Sequence, residues 1–224
     1  MNGTLIIFAR EPAPGEVKTR LIPALGAQGA ARLYRILLER ALSAAASVPL
    51  VRLELWCTGA GASEGICADL ARRFGMSLRL QPQGDLGARM ALAFTQALSP
   101  GPDAASVPGP AVLIGSDCPG YHGAYIARAF KALSPGDGGC DAVLGPATDG
   151  GYVLIGLRRP VAPLFADMPW GTNTVLKRTR ATLSELRLRW LELPPLADID
   201  RPEDLAAYPD LAEGLRGPSI PEGD

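Results

Sequence analysis

Residues Thr4 to Ala9 read Thr-Leu-Ile-Ile-Phe-Ala, a continuous, partly β-branched apolar run that breaks at Arg10 into a polar segment rich in Pro and Gly. An apolar run without polar alternation fits a strand covered on both faces, as in a parallel sheet packed between helices. Ala30 to Leu42 then places Leu33, Ile36, Leu37 and Ala41 at helical spacing, the pattern of a crossover helix. The alternation repeats with Val51 to Trp56 as strand, Glu64 to Phe74 as helix, Met76 to Leu80 as a short strand and Leu86 to Leu98 as helix. Ala111 to Gly115 reads as the next buried strand and Gly123 to Leu133 as its helix. Cys140 to Gly145, Tyr152 to Gly156 and Leu188 to Leu193 read as further strands, with Thr172 to Glu185 helical. This order predicts an α/β fold in three layers, with a mostly parallel central sheet and helices on both faces.

A chain of 224 residues suits one large α/β core. The expectation is a single domain over residues 1–216 followed by a frayed tail at Gly217 to Asp224. The Pro/Gly/Ser stretch Ser99 to Pro110 lies between a predicted helix and a predicted strand, so it reads as a surface connection. Asp200-Arg201-Pro202-Glu203-Asp204-Leu205 has the form of a capped helix start, with Pro in the first turn and acids at the positive end of the dipole.

Lys plus Arg number 22 against 23 for Asp plus Glu, so no overall positive field favours nucleic acid or an acidic membrane. Any anion site must be local. No run of about 18 apolar residues is present to span a bilayer. Met1 to Ala9 carries no basic leader or small-residue cleavage site. Cys57, Cys67, Cys118 and Cys140 form no CxxC pair, and their spacing reads as reduced thiols of a cytoplasmic protein.

In an open parallel sheet, ligands bind beyond the carboxyl ends of the strands, where the strand order reverses. With the common order 3-2-1-4, the loop from Arg10 to Arg20 after the first strand faces the loop Ser116 to Pro119 after the fourth. Arg10, Lys18 and Arg20, beside Ala9, then meet Ser116 and the Asp117 carboxylate across one crevice. A nucleotide diphosphate with Mg²⁺ or Mn²⁺ needs such a set, with cations on the phosphate oxygens and a carboxylate on the ion. Solvated surface charges are the bland alternative for each cation taken singly.

Several other chemistries are disfavoured. Val17 stands where a P-loop needs Gly before its Lys, and no G-x-G-x-x-G follows the first strand. His122 is the single histidine, which disfavours a Ser-His-Asp or Cys-His site, and Cys118 reads as a packing residue.

Three further loops are candidates. Gly84, Asp85 and Arg89 open a helix after the third strand, and they either meet the nucleotide or, through Asp85, cap that helix. Asp149-Gly150-Gly151-Tyr152 combines an acid with paired glycines, either for close approach of a ligand or as a hairpin turn. There Asp149 is the candidate for acceptor contact or general base. Trp170 offers an aromatic face to a sugar or packs in the core. Asp198 and Asp200 either join the metal or cap the following helix.

The segments FAREPAPGEVKTRL (Phe8 to Leu21), GDLGARM (Gly84 to Met90), IGSDCPG (Ile114 to Gly120), GPATDGGYVLIGL (Gly145 to Leu157), WGTNTVL (Trp170 to Leu176) and DIDRPEDL (Asp198 to Leu205) together resemble the GT-A-type nucleotide-diphospho-sugar transferase superfamily. The resemblance is to a bacterial branch some of whose members are labelled arsenosugar biosynthesis glycosyltransferases. It implies a Rossmann-like GT-A fold and glycosyl transfer from a sugar-nucleotide donor to a small-molecule acceptor, with a divalent metal at Asp117. Gly115-Ser116-Asp117 departs from the D-x-D motif usual at that strand end by supplying one acid only. Lys18-Thr19-Arg20-Leu21 and the Asp198 to Leu205 segment are also similar to elements of small-molecule guanylyl- and cytidylyltransferases, but the G-x-G-x-R loop of those enzymes is absent. Nucleotidyl transfer with release of pyrophosphate is therefore the second expectation. A nucleotide-binding module without turnover is the third.

Overall fold

The computed structural model describes residues 3–99, 108–136 and 138–215, except the side chains of residues 212 and 213. Residues 100–107 of the predicted surface connection and the predicted tail at 217–224 lie outside the described residues.

Seven strands form one sheet: β1 (Gly3–Arg10), β2 (Val51–Thr58), β3 (Ser77–Leu80), β4 (Ala111–Ile114), β5 (Ala142–Pro146), β6 (Tyr152–Leu157) and β7 (Trp190–Glu192). Their spatial order is β3-β2-β1-β4-β6-β5-β7. β2, β1 and β4 run parallel, as do β5 and β7, and only β6 runs against its neighbours. The predicted 3-2-1-4 arrangement is present, and the sheet is mostly parallel. β6 enters as the return arm of a hairpin, because only five residues separate it from β5 and a right-handed crossover needs a dozen or more.

The helices are α1 (Ile22–Ala46), α2 (Ile66–Arg73), α3 (Leu86–Ala97), α4 (Gly123–Ala132), α5 (Val175–Glu185) and α6 (Pro209–Leu215). β1 shows why they fall on both sides. Leu5, Ile7 and Ala9 enter one core with Leu38 and Ala41 of α1 and Ile126 of α4. Ile6 and Phe8 enter the opposite core with Met90 and Phe94 of α3 and Leu176 of α5. Successive strand residues point to opposite faces, so an uninterrupted apolar run requires two cores. A third cluster joins Leu21, Leu33 and Leu37 to Ile199 and Leu211, which fastens the C-terminal segment to α1.

Some boundaries differ from the sequence reading. α1 begins eight residues before the predicted Ala30, with Pro23 in its first turn, and kinks at Gly26 (φ 70°), a conformation open to glycine. The segment after Arg201 forms a 3-10 helix (Pro202–Ala207) instead of an α-helix, and Asp204 accepts from the backbone N–H groups of Asp200 and Arg201. No helix among the described residues is long and apolar enough to cross a membrane.

Candidate functional site

The Arg10 to Arg20 loop leaves β1 under several restraints. Arg10 N–H donates to Tyr34 Oη at 2.8 Å, and that hydroxyl shares a second 2.8 Å hydrogen bond with Ser116 Oγ. Tyr34 of α1 therefore ties the loop after β1 to the loop after β4. Burial, above all, pushes the Tyr34 phenol well above its ordinary range, so it stays protonated. Glu11 turns inward, and its carboxylate accepts from Ile66 N–H at 2.6 Å and Cys67 N–H at 3.1 Å. It thus satisfies the free donors at the N-terminus of α2 from 55 residues away. A Cβ at Gly65 would collide with that carboxylate, so a larger residue there would displace the Glu11 side chain.

Cys57, at the end of β2, and Cys67, in α2, form a disulfide over a separation of 10 residues. This corrects the expectation of four reduced thiols. Spacing along the chain carries no pairing signal, yet β2 and α2 bring the two sulfurs together beside Glu11. Cys118 and Cys140 are free, and Cys118 is buried in the core.

Lys18 adopts a left-handed backbone conformation (φ 48°), and its side chain is only 4% exposed. Its ammonium donates to Ile199 O and to Asp200 Oδ1 at 3.1 Å, and it lies 2.9 Å from Asp117 Oδ1. Burial alone would lower its pKa, but Asp117 and then Asp200 outweigh that and hold it above the ordinary lysine value. The exposed Arg20 guanidinium reaches Asp200 Oδ2 at 3.1 Å, and the exposed Arg10 guanidinium reaches Glu16 O at 2.9 Å.

Ala9, Arg10, Lys18, Arg20, Ser116 and Asp117 line one cavity of about 460 Å³ at the carboxyl ends of β1 and β4. Tyr34, Gln81 and Asp200 also line it, as do Phe8, Glu16 and Leu86. Gln81 fixes its own amide by donating to Ala9 O and Trp56 O, both at 2.9 Å. Sequence patterning singles out neither Tyr34, one more position within a predicted helix, nor Gln81, which only opens the loop that leads to Gly84, Asp85 and Arg89. Gly84, Asp85 and Arg89 lie outside this lining. Asp85 caps α3 by accepting from Ala88 N–H at 2.8 Å, which is the structural one of its two expected roles. Arg89 Nε is buried without a partner.

The β5–β6 hairpin builds an adjoining cavity of about 200 Å³, which shares Phe8 and Leu86 with the first. Asp149, Gly151, Tyr152 and Trp170 are on its walls, and Gly150 is not. Asp149 Oδ1 accepts from Gly151 N–H at 2.8 Å. Gly150 has φ 92°, and a Cβ there would collide with the backbone of Asn173. Leu154 pairs with Gly145 and Tyr152 with Pro146, so Val153 is an extra residue that bulges β6. The bulge sends Tyr152 to the core that holds Ile155, where its ring meets Trp170 edge-on at 6.4 Å.

The residues after β7 return beside both cavities. Thr148 N–H donates to Leu196 O, and Ile199 N–H donates to Asp117 O at 3.2 Å. Asp198 is half-buried, and burial followed by the Asp149 charge raises its carboxyl pKa. Asp117 Oδ1 is buried against the Lys18 ammonium, but the side chain as a whole is 46% exposed, so part of the carboxylate stays open to a hard cation in the cavity. Asp200 is held by both Lys18 and Arg20.

The profile of a family described as "Uncharacterized protein conserved in bacteria (DUF2064)" matches residues 41–172, more than half of the chain. No curated protein matches. Among solved structures, a protein of Desulfovibrio desulfuricans G20 described, by inference, as a nucleotide-diphospho-sugar transferase superposes with TM-score 0.78 at 29% identity, covering 98% of this chain and 92% of that one. The 4-diphosphocytidyl-2C-methyl-D-erythritol synthase of Anaerococcus prevotii shares the fold with TM-score 0.59 at 10% identity, covering 94% and 96%. Glucosyl-3-phosphoglycerate synthase of Mycobacterium tuberculosis, in complex with Mn²⁺, uridine diphosphate and glucosyl-3-phosphoglycerate, shares it with TM-score 0.51 at 14% identity, covering 96% and 76%.

Proposed function

The chain belongs to the DUF2064 family, and we propose that it is a glycosyltransferase, acting as one catalytic domain on a nucleoside-diphosphate-activated sugar and a small-molecule acceptor. The observation that carries this is the convergence of Arg10, Lys18 and Arg20 with Ser116 and Asp117 in one cavity at the carboxyl ends of β1 and β4. A diphosphate needs several cations at close range, and a chain of net charge −1 offers them only where the fold gathers them. The D. desulfuricans protein, alike over 98% of this chain, supports the same class of donor.

In this reading Arg10 and Arg20, exposed at the mouth, bind the phosphate oxygens, and Lys18 sets the charge at the floor. Asp117, on the cavity wall, would hold Mg²⁺ or Mn²⁺, with Asp198 or Asp200 as a further ligand. Such an ion supplies Lewis-acid stabilisation to the departing diphosphate. The Mn²⁺ and uridine diphosphate of the M. tuberculosis enzyme support both choices. Asp149, on the wall of the adjoining cavity, keeps one carboxylate oxygen clear of its bond to Gly151 and would accept the proton of an acceptor hydroxyl.

Thermal-shift titration with nucleoside diphosphates, triphosphates and sugar nucleotides, with and without Mn²⁺, tests the reading on wild type and Asp117→Ala. A diphosphate or its sugar conjugate at 100 times its dissociation constant adds about 2.7 kcal/mol to stability. The gain should depend on Mn²⁺ and vanish in Asp117→Ala, whose own fold stays intact. Stabilisation by triphosphates alone, with pyrophosphate released on turnover, would replace glycosyl by nucleotidyl transfer. Binding without any product would leave a nucleotide-binding module.

A further inference from the structure

We propose that the 200 Å³ cavity beside the cationic site takes an acceptor with an apolar body that is neutral or cationic, and excludes phosphorylated and carboxylate acceptors. This rests on the transferase reading above and adds the chemical class of its second substrate.

The division of charge between the two cavities is the main observation. Arg10, Lys18 and Arg20 all line the larger cavity, whereas no Lys or Arg side chain among the described residues lines the smaller one. Its walls are chiefly Phe8, Leu86, Met90, Leu113, Trp170 and Val175. Asp149 is its one charged group among the described residues. An anionic group entering here would give up its water, meet no cation in exchange and face a carboxylate. A cationic group would face that carboxylate favourably, and the rings of Phe8, Tyr152 and Trp170 carry the negative π-faces that tolerate a cation. A neutral apolar group would lose only its unfavourable hydration.

The polar atoms within the walls agree with this. Tyr152 Oη is buried without a hydrogen-bond partner, and burial raises its pKa far above the ordinary phenol value, so it remains a donor. Trp170 Nε1 is likewise buried without a partner, but it abuts α3, where a Cβ at Gly87 would come within 2.9 Å of it. Neither buried atom adds a charge to the cavity, so its lining stays neutral apart from Asp149. Charge at the far end of the transferred sugar is the concern of the larger cavity, since Phe8 and Leu86 are common to both and bring the two substrates edge to edge.

Benzyl alcohol, benzylamine and benzoate present the same ring with three charges, and their binding to the full chain tests the proposal. The readout is the Trp170 indole N–H resonance, assigned with Trp170→Phe, and uridine diphosphate is titrated in parallel against the larger cavity. Benzyl alcohol and benzylamine should shift the Trp170 signal and bind about ten-fold more tightly than benzoate. Asp149→Asn should erase the preference for benzylamine over benzoate. Benzoate binding to the wild type as tightly as benzyl alcohol, or failure of every probe to shift Trp170, would overturn the proposal. If the probes bind in the expected order while no nucleotide binds at all, the cavity's selectivity stands and the transferase reading falls instead.

Discussion

The Lys18 ammonium lies 2.9 Å from Asp117 Oδ1 and 3.1 Å from Asp200 Oδ1, so one buried cation joins two carboxylates from distant parts of the chain. It also donates to Ile199 O, and the two carboxylates outweigh its burial and keep it protonated. Lys18 thereby holds Asp117 and Asp200 in place on the wall of the larger cavity.

Lys18→Met should destabilise the fold. Breaking a fully buried ion pair costs about 3–5 kcal/mol, because the surviving charges lack both partner and water. Here the Asp117 and Asp200 side chains are 46% and 42% exposed, so solvent recovers much of that. We expect about 1–2 kcal/mol after that discount, read as a lower urea midpoint at unchanged slope. An unmoved midpoint would show that the triad contributes no net stability and serves binding alone.

Glu11→Gln keeps the size of the side chain and removes the charge from the α2 N-terminus. A capping interaction is worth about 1 kcal/mol, and a charged cap gains from the helix dipole as well. The variant should lose about that much in denaturant unfolding. Gly65→Ala should do at least equal harm, since its Cβ enters the space of the same carboxylate. Wild-type stability in Gly65→Ala would show that Glu11 is not held against α2 in solution.

The layered fold is legible in the sequence because its signals are local. A continuous apolar strand such as Ile6-Ile7-Phe8 and a helix face such as Met90 and Phe94 declare themselves within a few residues. The positions of Arg10, Lys18, Arg20 and Asp117 follow from strand order, since only the 3-2-1-4 arrangement brings the two loops together. What the sequence withholds depends on distant partners. Tyr34 bonds across 82 residues to Ser116, Glu11 across 55 to Ile66, and Lys18 across 182 to Asp200. None of those spacings follows a periodicity. The Cys57–Cys67 bond is hidden for the same reason, because β2 and α2 must first be placed before the sulfurs can meet.

That bond makes a count the first chemical check. Denatured, unreduced protein should expose two titratable thiols, Cys118 and Cys140, and reduction should raise the number to four. Closing a loop of this length is worth about 2–3 kcal/mol in the chain-entropy account, so reduction should lower the unfolding free energy by that order. Four thiols in protein purified without reductant would show that the pair is kept reduced.

Cys118 gives a pH dependence with a definite sign. Burial pushes its thiol from the ordinary 9.0 to about 11, so the fold favours the protonated form. Below the ordinary value the folded and unfolded chains hold this proton alike, and stability does not change with pH on its account. Between 9.0 and about 11 the unfolded chain releases a proton that the folded chain retains, so stability falls as pH rises. Above that window both forms are ionised and the slope ends. The whole loss is of order 2–3 kcal/mol, since each tenfold difference in proton affinity between the two states is worth about 1.4 kcal/mol. Lysines and tyrosines titrate in the same range, so the measurement is the difference between wild type and Cys118→Ala in urea unfolding from about pH 8 to 11. The two curves should converge as pH rises, because the variant has no proton to lose at this site. A gap that stays constant would mean that the thiol is as free to ionise in the fold as out of it, and native-state alkylation of Cys118 at the rate of Cys140 would say the same.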